Sequence, residues 1–164
     1  MKTFPARDIR ILLLDVDGTL SDGGMYFTAE GLAMKRFDVR DGLGVVLLQE
    51  AGVEVAWVTA DDSPITAARA VRLKVAHCEM HCGEKGVAVR RILADRGLTR
   101  AQAAYMGDDV NDLPAFAEVD YPLAPPEAVE EVRAAACYLT KASAGHGAVR
   151  EVCDLIRKAR EGSA

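Results

Sequence analysis

Two aspartates, Asp15 and Asp17, directly follow a run of apolar residues that ends at Leu14. Such a run is typical of a strand that is buried on both faces of a parallel sheet. A carboxylate at the end of a buried strand loses hydration, and this is costly unless a cation or several hydrogen-bond donors face the charge. Either the two acids belong to an ordinary turn, or they face a metal ion or a substrate.

More polar residues follow the other apolar segments of the chain or begin the next helical pattern. They are Thr59, Lys85, Asp108, Asp109 and Asp112. An Asp after a strand is often only a helix cap, but that explanation has to be repeated at each strand end. In an open α/β sheet the carboxyl ends of the strands meet at one edge, where ligands bind. We therefore expect five acids, one hydroxyl and one ammonium group to form a single site.

This set of residues suits phosphoryl transfer through an aspartyl phosphate. A carboxylate can attack a phosphoryl group and split one displacement into two steps. The transferred group carries spread negative charge, so the site has to stabilise it electrostatically. Mg²⁺, which binds carboxylates, water and phosphate oxygens, offsets the repulsion between the acids and the phosphate. Lys85 supplies a second positive charge and Thr59 a hydroxyl donor.

Strand patterns alternate with helical patterns along the chain, which favours right-handed βαβ units and a parallel sheet with helices on both faces. Two short runs joined by Glu30-Gly31 predict a β-hairpin over residues 25–37, beside the same sheet edge. We find no linker or internal repeat and predict a single α/β domain over residues 1–164. The predicted strands are 9–14, 54–58, 103–106 and 121–123, and the predicted helices are 42–51, 64–73, 84–96, 111–116, 127–135 and 148–160.

The composition argues against several function classes. The chain has 164 residues, 50% of them hydrophobic, and a formal net charge of -5. The acidic balance and the lack of a basic cluster argue against nucleic-acid binding, and the apolar runs are too short to span a membrane. Residues 1–8 lack the apolar core of a signal peptide, so we expect a cytoplasmic protein.

The four cysteines are expected to be reduced thiols. Two of them lie with two histidines in the sequence HCEMHC, residues 77–82. Zinc sites usually take their ligands from two separated pairs, and alternate side chains of a strand point to opposite faces. We therefore interpret this segment as a strand followed by a loop rather than as a metal site.

The sequences DVDGTLSD and GDDVND, with Thr59 and Lys85 between them, resemble in content and order the four motifs of the haloacid dehalogenase superfamily. The segments DGGMYFTAEGLAMKRFDVRDGLGV and GHGAVREVCDLI are similar to the family of 3-deoxy-manno-octulosonate 8-phosphate phosphatases. The likeness extends from about residue 8 to residue 158. It implies a Rossmann-like fold and a Mg²⁺-dependent phosphatase that acts on a phosphorylated sugar acid.

The resemblance also implies how Mg²⁺ is held. Asp15 and Asp108 bind the metal through their carboxylates, and Asp17 binds it through its backbone carbonyl. Asp109 and Asp112 support these ligands from a second layer.

Catalytic roles are implied in the same way. Asp15 is the nucleophile, and Asp17 is the general acid that protonates the leaving sugar oxygen and then the base that activates water. Thr59 and Lys85 hold the phosphoryl oxygens.

Motif spacing bears on substrate access. Superfamily members with a separate cap domain insert it between the first and second motifs or between the second and third. Here Thr59 follows Asp15 by 44 positions and Lys85 follows Thr59 by 26, which leaves no room for a cap. The hairpin is the remaining insertion, and we expect it to act as a flap.

Resemblance to the family also implies a homotetramer in which the hairpins pack together and neighbouring subunits form the outer walls of the active sites. The hairpin carries Met25, Phe27, Met34 and Phe37, which a monomer is expected to leave exposed.

Three positions depart from the family pattern and leave the sugar open. Ala60-Asp61 stands in place of Gly-Arg, Met80-His81 in place of Gln-Gly, and His146 in place of Arg. An acid at position 61 disfavours a nearby substrate carboxylate and resembles the related nonulosonate 9-phosphate phosphatases. Alternatively, Asp61 caps the helix that follows it. Octulosonate 8-phosphate is therefore the leading substrate, nonulosonate 9-phosphate is the alternative, and Asp61 is a candidate substrate-binding residue.

Two other classes fit less well. A response-regulator receiver domain also combines Asp, Mg²⁺, Thr and Lys, but its phosphorylated Asp ends a later strand and GDDVND has no counterpart there. A catalytically inactive scaffold of the same superfamily would lack some of the acids, and this sequence has all of them.

Overall fold

A computed structural model describes residues 6–161 of the chain. Residues 1–5 and 162–164, at the two ends of the predicted domain, lie outside the described residues. The strands are β1 (Ile11–Leu14), β2 (Ser21–Thr28), β3 (Gly31–Phe37), β4 (Glu54–Val58), β5 (His77–Glu79), β6 (Ala103–Met106), β7 (Tyr121–Ala124) and β8 (Tyr138–Leu139). The helices are α1 (Val39–Glu50), α2 (Pro64–Arg72), α3 (Lys85–Asp95), α4 (Leu113–Phe116), α5 (Glu130–Ala135) and α6 (Ala148–Glu161).

Within the described residues the main sheet has six strands, all parallel, in the order β5-β4-β1-β6-β7-β8. Strand β1 lies near the centre, paired with β4 on one side and β6 on the other. Leu14, its last residue, is level with Trp57 of β4 and Met106 of β6. The segments that follow these three strands therefore leave the sheet at the same edge.

Side chains of β1 alternate between two hydrophobic cores, as the period of a strand requires. Leu12 and Leu14 pack in a core shared with α1, α2 and α6, whereas Ile11 and Leu13 pack in a second core with α3, α4 and α5. Both faces of the strand are thus buried, which explains its unbroken apolar sequence. The predicted parallel sheet with helices on both faces is confirmed.

Local sequence signals fix several helix ends. Helix α2 starts at Pro64 after the N-cap Ser63, whose side chain accepts a hydrogen bond from the Thr66 N–H. Gly52 and Gly97, which follow α1 and α3, have φ values of 78° and 60°. A left-handed backbone of this kind favours glycine after a helix.

Strands β2 and β3 form an antiparallel hairpin outside the main sheet. It was predicted over residues 25–37 but begins earlier, because Ser21 already pairs with Phe37. Met25, Phe27 and Met34 are exposed, as expected. The expectation for Phe37 is wrong, because its ring packs against the first core with the Arg69 guanidinium 5.6 Å from its centre.

Several predicted boundaries need correction. Helix α1 begins at Val39 rather than at 42, because the side chain of Asp38 caps it by accepting the Arg40 N–H. Residues 111–116 comprise the end of a 3₁₀ turn followed by α4, and residues 127–129 precede α5. Strand β8 was not predicted, since two residues are too short to show a period. No helix among residues 6–161 is long and apolar enough to cross a membrane.

Candidate active site

A cavity of about 190 Å³ opens where β1, β4 and β6 end. Its lining residues are Asp15, Asp17, Thr59, Ala60, Asp61, Lys85, Asp108, Asp109 and Asn111. Parallel strands that end level with one another bring these distant residues together. Every predicted site residue therefore lines the cavity except Asp112, which is buried beneath it.

Lys85, the first residue of α3, is buried against two of the acids. Its Nζ donates to Asp15 Oδ1 and to Asp112 Oδ1, both at 2.7 Å. Burial alone would lower the pKa of Lys85, but the charges of the two carboxylates outweigh it and raise the pKa above its usual value. Lys85 is therefore a fixed positive charge beside Asp15.

Asp112 organises the site from below. Its Oδ1 accepts hydrogen bonds from Lys85 and from the Tyr105 hydroxyl, both at 2.7 Å. Its Oδ2 accepts the backbone N–H groups of Asp108 at 2.9 Å and Asp109 at 3.2 Å. Four donors occupy this carboxylate, so it holds the loop and Lys85 in place instead of reaching into the cavity. Sequence reasoning missed Tyr105, because it lies in the apolar strand β6 and nothing in the sequence shows that its hydroxyl reaches Asp112.

Two glycines allow the acidic loops to approach each other. A Cβ on Gly18, whose φ is 82°, would overlap the Asp108 carboxylate, and a Cβ on Gly107 would overlap the side chain of Asp112. Thr19, next to Gly18, donates to Asp108 Oδ1 at 3.5 Å. The glycines of both acidic motifs thus serve close packing of carboxylates.

Carboxylate oxygens of Asp15, Asp108 and Asp112 lie within 4.8 Å of one another. Burial, and then the charge of Asp112, raises the pKa of Asp15 to about 8. The same two causes raise the pKa of Asp108 to about 6. Carboxylates this close are ionised together only when a cation compensates them. Hard oxygen donors with excess negative charge fit Mg²⁺, with Asp15 and Asp108 as the carboxylates that still face the cavity.

Thr59 is buried at the end of β4. Its Oγ1 accepts the Asp61 N–H at 3.1 Å, so its own hydroxyl hydrogen can donate into the cavity. This arrangement suits the predicted contact with a phosphoryl oxygen.

Asp17 faces the cavity beside a lysine that sequence reasoning did not select. Lys35 Nζ lies 2.7 Å from Asp17 Oδ2 and 2.9 Å from Asp61 Oδ2. The lysine comes from β3 of the hairpin, and a single charged residue in a short exposed strand gives no signal that it turns inward.

Asp61 does not cap the following helix, because Ser63 occupies the N-cap. Its carboxylate accepts a hydrogen bond from Ser63 Oγ at 2.8 Å and pairs with Lys35. Burial alone would raise the pKa of Asp61, but hydrogen bonds from Thr66, Lys35 and Ser63 outweigh it and lower the pKa. The interpretation of Asp61 as a helix cap is therefore wrong.

Asp109 is exposed at the cavity rim, where its Oδ1 accepts the Val110 N–H at 2.6 Å. Its carboxylate thus begins the 3₁₀ turn, and its backbone N–H supports Asp112. Asn111, also on the rim, was not selected from the sequence.

The segment of residues 77–82 forms β5 and the start of a loop, as predicted. His77 Nε2 lies 3.2 Å from Glu79 Oε2, while Cys82 is buried in the second core. Among residues 6–161, the group of acids around Asp15 is the one cluster with metal-ligand geometry, and this segment contributes nothing to it.

A larger cavity of about 450 Å³ adjoins the site and shares Asp108 with it. It is lined further by Asp22, Gly23, Glu127, Ser143, Ala144 and His146. A substrate with its phosphate at Asp15 therefore has room for a larger group on this side.

The fold and this site define a hydrolase of the haloacid dehalogenase type. In agreement, residues 80–152 match the model of the haloacid dehalogenase-like hydrolase family. The 3-deoxy-D-manno-octulosonate 8-phosphate phosphatase KdsC of Yersinia pestis is 38% identical over 156 residues, which cover 95% of this chain and 83% of that protein. The enzyme of the same name from Haemophilus influenzae is 38% identical over 153 residues, 93% of this chain and 85% of that protein. The chain belongs to the 3-deoxy-D-manno-octulosonate 8-phosphate phosphatase family.

Solved structures agree with the sequence comparison. The phosphatase of this family from Moraxella catarrhalis, in complex with magnesium ion, phosphate ion and KDO, has a TM-score of 0.92 and 37% identity and covers 96% of this chain and 91% of that one. The cobalt-bound Haemophilus influenzae enzyme has a TM-score of 0.93 and 37% identity, with coverage of 97% and 93%. The predicted family resemblance is confirmed.

Proposed function

We propose that the protein is a Mg²⁺-dependent phosphatase that hydrolyses 3-deoxy-D-manno-octulosonate 8-phosphate to the free sugar acid and phosphate. The observation that carries this proposal is the buried Asp15, held at 2.7 Å by Lys85 beside Asp108. The named relatives support the sugar: their substrate is the octulosonate ester, and one was crystallised with KDO and phosphate. The nonulosonate alternative finds no such support.

In the proposed reaction an Asp15 oxygen attacks phosphorus and forms an acyl phosphate. The bond from phosphorus to the sugar oxygen breaks, and that oxygen takes a proton from Asp17. Water then attacks the same phosphorus and gives its proton to Asp17, which restores Asp15 and releases phosphate. Lys85 and Thr59 hold the phosphoryl oxygens in both steps.

Magnesium would be held by the carboxylates of Asp15 and Asp108 and by the backbone carbonyl of Asp17. When bound, it neutralises charge on the acids and on the phosphoryl oxygens. Asp112 keeps the Asp108 loop in place through the two backbone N–H groups, and Asp109 contributes one of them.

We further propose that residues 1–164 form one domain, and that the active enzyme is a cytoplasmic homotetramer. The exposed apolar residues of the hairpin support assembly, because Phe27, near the end of β2, is 67% exposed in the single chain. A site open to solvent also gains its outer wall from a neighbouring hairpin acting as a flap. Cys78, Cys82 and Cys153 are free thiols, as is usual in a reducing compartment.

Phosphate release from octulosonate 8-phosphate tests the function. We expect turnover with Mg²⁺, loss of turnover with a chelator, and no turnover by Asp15→Asn, because an amide is a poor nucleophile and a weak ligand. Asp95→Asn, the same change at an exposed position on α3, is the control and should leave activity unchanged. Turnover by Asp15→Asn, with mass spectrometry excluding deamidation, would contradict the covalent mechanism. A higher kcat/KM for other sugar-acid phosphates would contradict the substrate.

A further inference from the structure

Lys35 is a buried ammonium group to which the reaction described above gives no task. In β3 it is the one buried residue, and its side chain has an exposed fraction of 0%. Its Nζ lies 2.7 Å from Asp17 Oδ2, 2.9 Å from Asp61 Oδ2 and 3.5 Å from Thr66 Oγ1. Lys35 therefore joins the hairpin to the loop after β1 and to the segment after β4.

Burial of a lysine is costly, and the two carboxylates compensate the cost. A hairpin that served only as an apolar flap would gain nothing from a lysine turned towards the sheet. An ammonium buried at this point instead links the hairpin to Asp17, the acid that has to meet the leaving oxygen.

Asp61 holds Lys35 in a fixed position. Ser63 Oγ donates to Asp61 Oδ2 at 2.8 Å, and the Asp61 N–H donates to Thr59 Oγ1 at 3.1 Å. Because the acid is held through both its side chain and its backbone, its carboxylate is a rigid anchor. Lys35 and Ser63 both pair with Asp61 Oδ2, so this oxygen holds the lysine in place.

We propose that Lys35 is a positioning residue for Asp17, that Asp61 anchors it, and that position 61 affects catalysis through Lys35. This inference rests on the proposed phosphatase function and adds an explanation of how the Asp17 carboxyl group is oriented.

The consequence for the chemistry follows from the two oxygens of Asp17. Lys35 holds Oδ2, which leaves Oδ1, to which Ser21 Oγ donates at 3.4 Å, to give the proton to the leaving sugar oxygen. A carboxyl group free to rotate would often point elsewhere, and a misplacement of about 1 Å can cost about 10²-fold in rate. The ammonium also lies where negative charge develops on Asp17 as its proton departs.

Two phosphate esters with different leaving groups can show whether Lys35 positions Asp17 or has only a general structural role. The sugar oxygen of octulosonate 8-phosphate leaves as an alcohol and needs a proton, whereas p-nitrophenolate leaves without one. The ratio kcat/KM covers substrate binding and the steps up to phosphoryl transfer to Asp15, and it excludes the later hydrolysis of the acyl phosphate. We expect Lys35→Met to lower kcat/KM for the sugar phosphate about tenfold or more, and for p-nitrophenyl phosphate less than about threefold.

Further variants make the test specific. Lys35→Arg keeps the charge and should recover part of the lost efficiency. Asp61→Asn removes the anchoring charge but keeps its shape, so it should shift the ratio of the two esters in the same direction as Lys35→Met. The double variant Lys35→Met/Asp61→Asn should lose no more than Lys35→Met alone, because residues of one network are not additive. Lys158→Met, at an exposed position on α6, is the matched control and should match the wild type.

Equal losses on both esters, or no loss on either, would overturn the proposal. If circular dichroism shows that Lys35→Met does not fold, Asp61→Asn tests the proposal through the same ratio of kcat/KM values for the two esters. A wild type that hydrolyses p-nitrophenyl phosphate and another alkyl phosphate, but not octulosonate 8-phosphate, would refute the proposed substrate. The ratio of alkyl to aryl ester would then still test Lys35.

Discussion

The buried hydroxyl of Tyr105 allows a quantitative test of the network beneath the site. Tyr105→Phe removes a hydrogen bond to Asp112 Oδ1 of 2.7 Å and keeps the ring, which packs edge-on against Phe116 with centroids 6.0 Å apart. A hydrogen bond to a charged group contributes about 1.5–3 kcal/mol. Since Asp112 keeps Lys85 and two backbone donors, we expect the lower part of that range, about 2 kcal/mol of unfolding free energy. For a domain of this size the loss lowers Tm by about 4–8 °C.

Urea or thermal unfolding in the presence of a chelator measures this loss without stabilisation by bound metal. Tyr138→Phe is the matched control, because it removes a 2.7 Å hydrogen bond to Glu151 at a partly exposed position away from the cavity. We expect the control to lose about 1 kcal/mol or less, since solvent replaces part of that bond. Tyr105→Phe should retain most of its kcat, because Lys85 still holds Asp15. Unfolding free energies of Tyr105→Phe and wild type that agree within about 0.5 kcal/mol would refute the assignment of Tyr105 to the network.

Three further outcomes are expected. Gly18→Ala should fold but lose Mg²⁺-dependent phosphate release by about 10²-fold or more, because the new Cβ overlaps Asp108; wild-type kcat would contradict the packing. In the metal-free fold the pKa of Asp15 is raised to about 8 and that of Asp108 to about 6, whereas in the unfolded chain both are near 4. The two groups therefore do not destabilise the metal-free fold below about pH 4, and they lower its unfolding free energy progressively as the pH rises towards 8. Calorimetry should therefore show a larger Tm increase on adding Mg²⁺ at pH 8 than at pH 6, and an equal increase would contradict it. Phe27→Asp should yield smaller assemblies than the wild type by light scattering; an unchanged mass would exclude this part of the hairpin from the interface.

Strand ends were predictable from the sequence because their chemistry is local. An apolar strand followed by an acid, a threonine or a glycine-acid loop marks the carboxyl edge of a parallel sheet, and the level ends of β1, β4 and β6 then bring Asp15, Thr59 and Asp108 together. The N-cap of α2 is also a local signal, because Ser63 is followed directly by Pro64 at the first helical position.

Long-range polar contacts were not predictable in this way. Lys35 reaches Asp17 only because the hairpin folds back over the sheet edge, and its partner Asp61 lies in another loop. Tyr105 alternates with small and apolar residues in β6, and the period of the strand cannot show that its hydroxyl meets a carboxylate. The start of α1 was missed for a different reason: the cap Asp38 was present in the sequence, but two glycines inside the first turns of the helix obscured it.

Two lysines balance only part of the negative charge of the site. Six carboxylates lie in or beneath the cavity, at positions 15, 17, 61, 108, 109 and 112, and two ammonium groups pair with four of them. Each lysine bridges two acids, so its positive charge is already partly compensated before a phosphate binds. The remaining acids repel a phosphate dianion, and the raised pKa of Asp15 favours a neutral carboxyl group, which is a poor nucleophile. Mg²⁺ held by Asp15 and Asp108 would offset both effects, because it would stabilise the ionised carboxylate of Asp15 and attract the phosphate. We therefore expect phosphate binding and the attack of Asp15 on phosphorus to depend on the same ion.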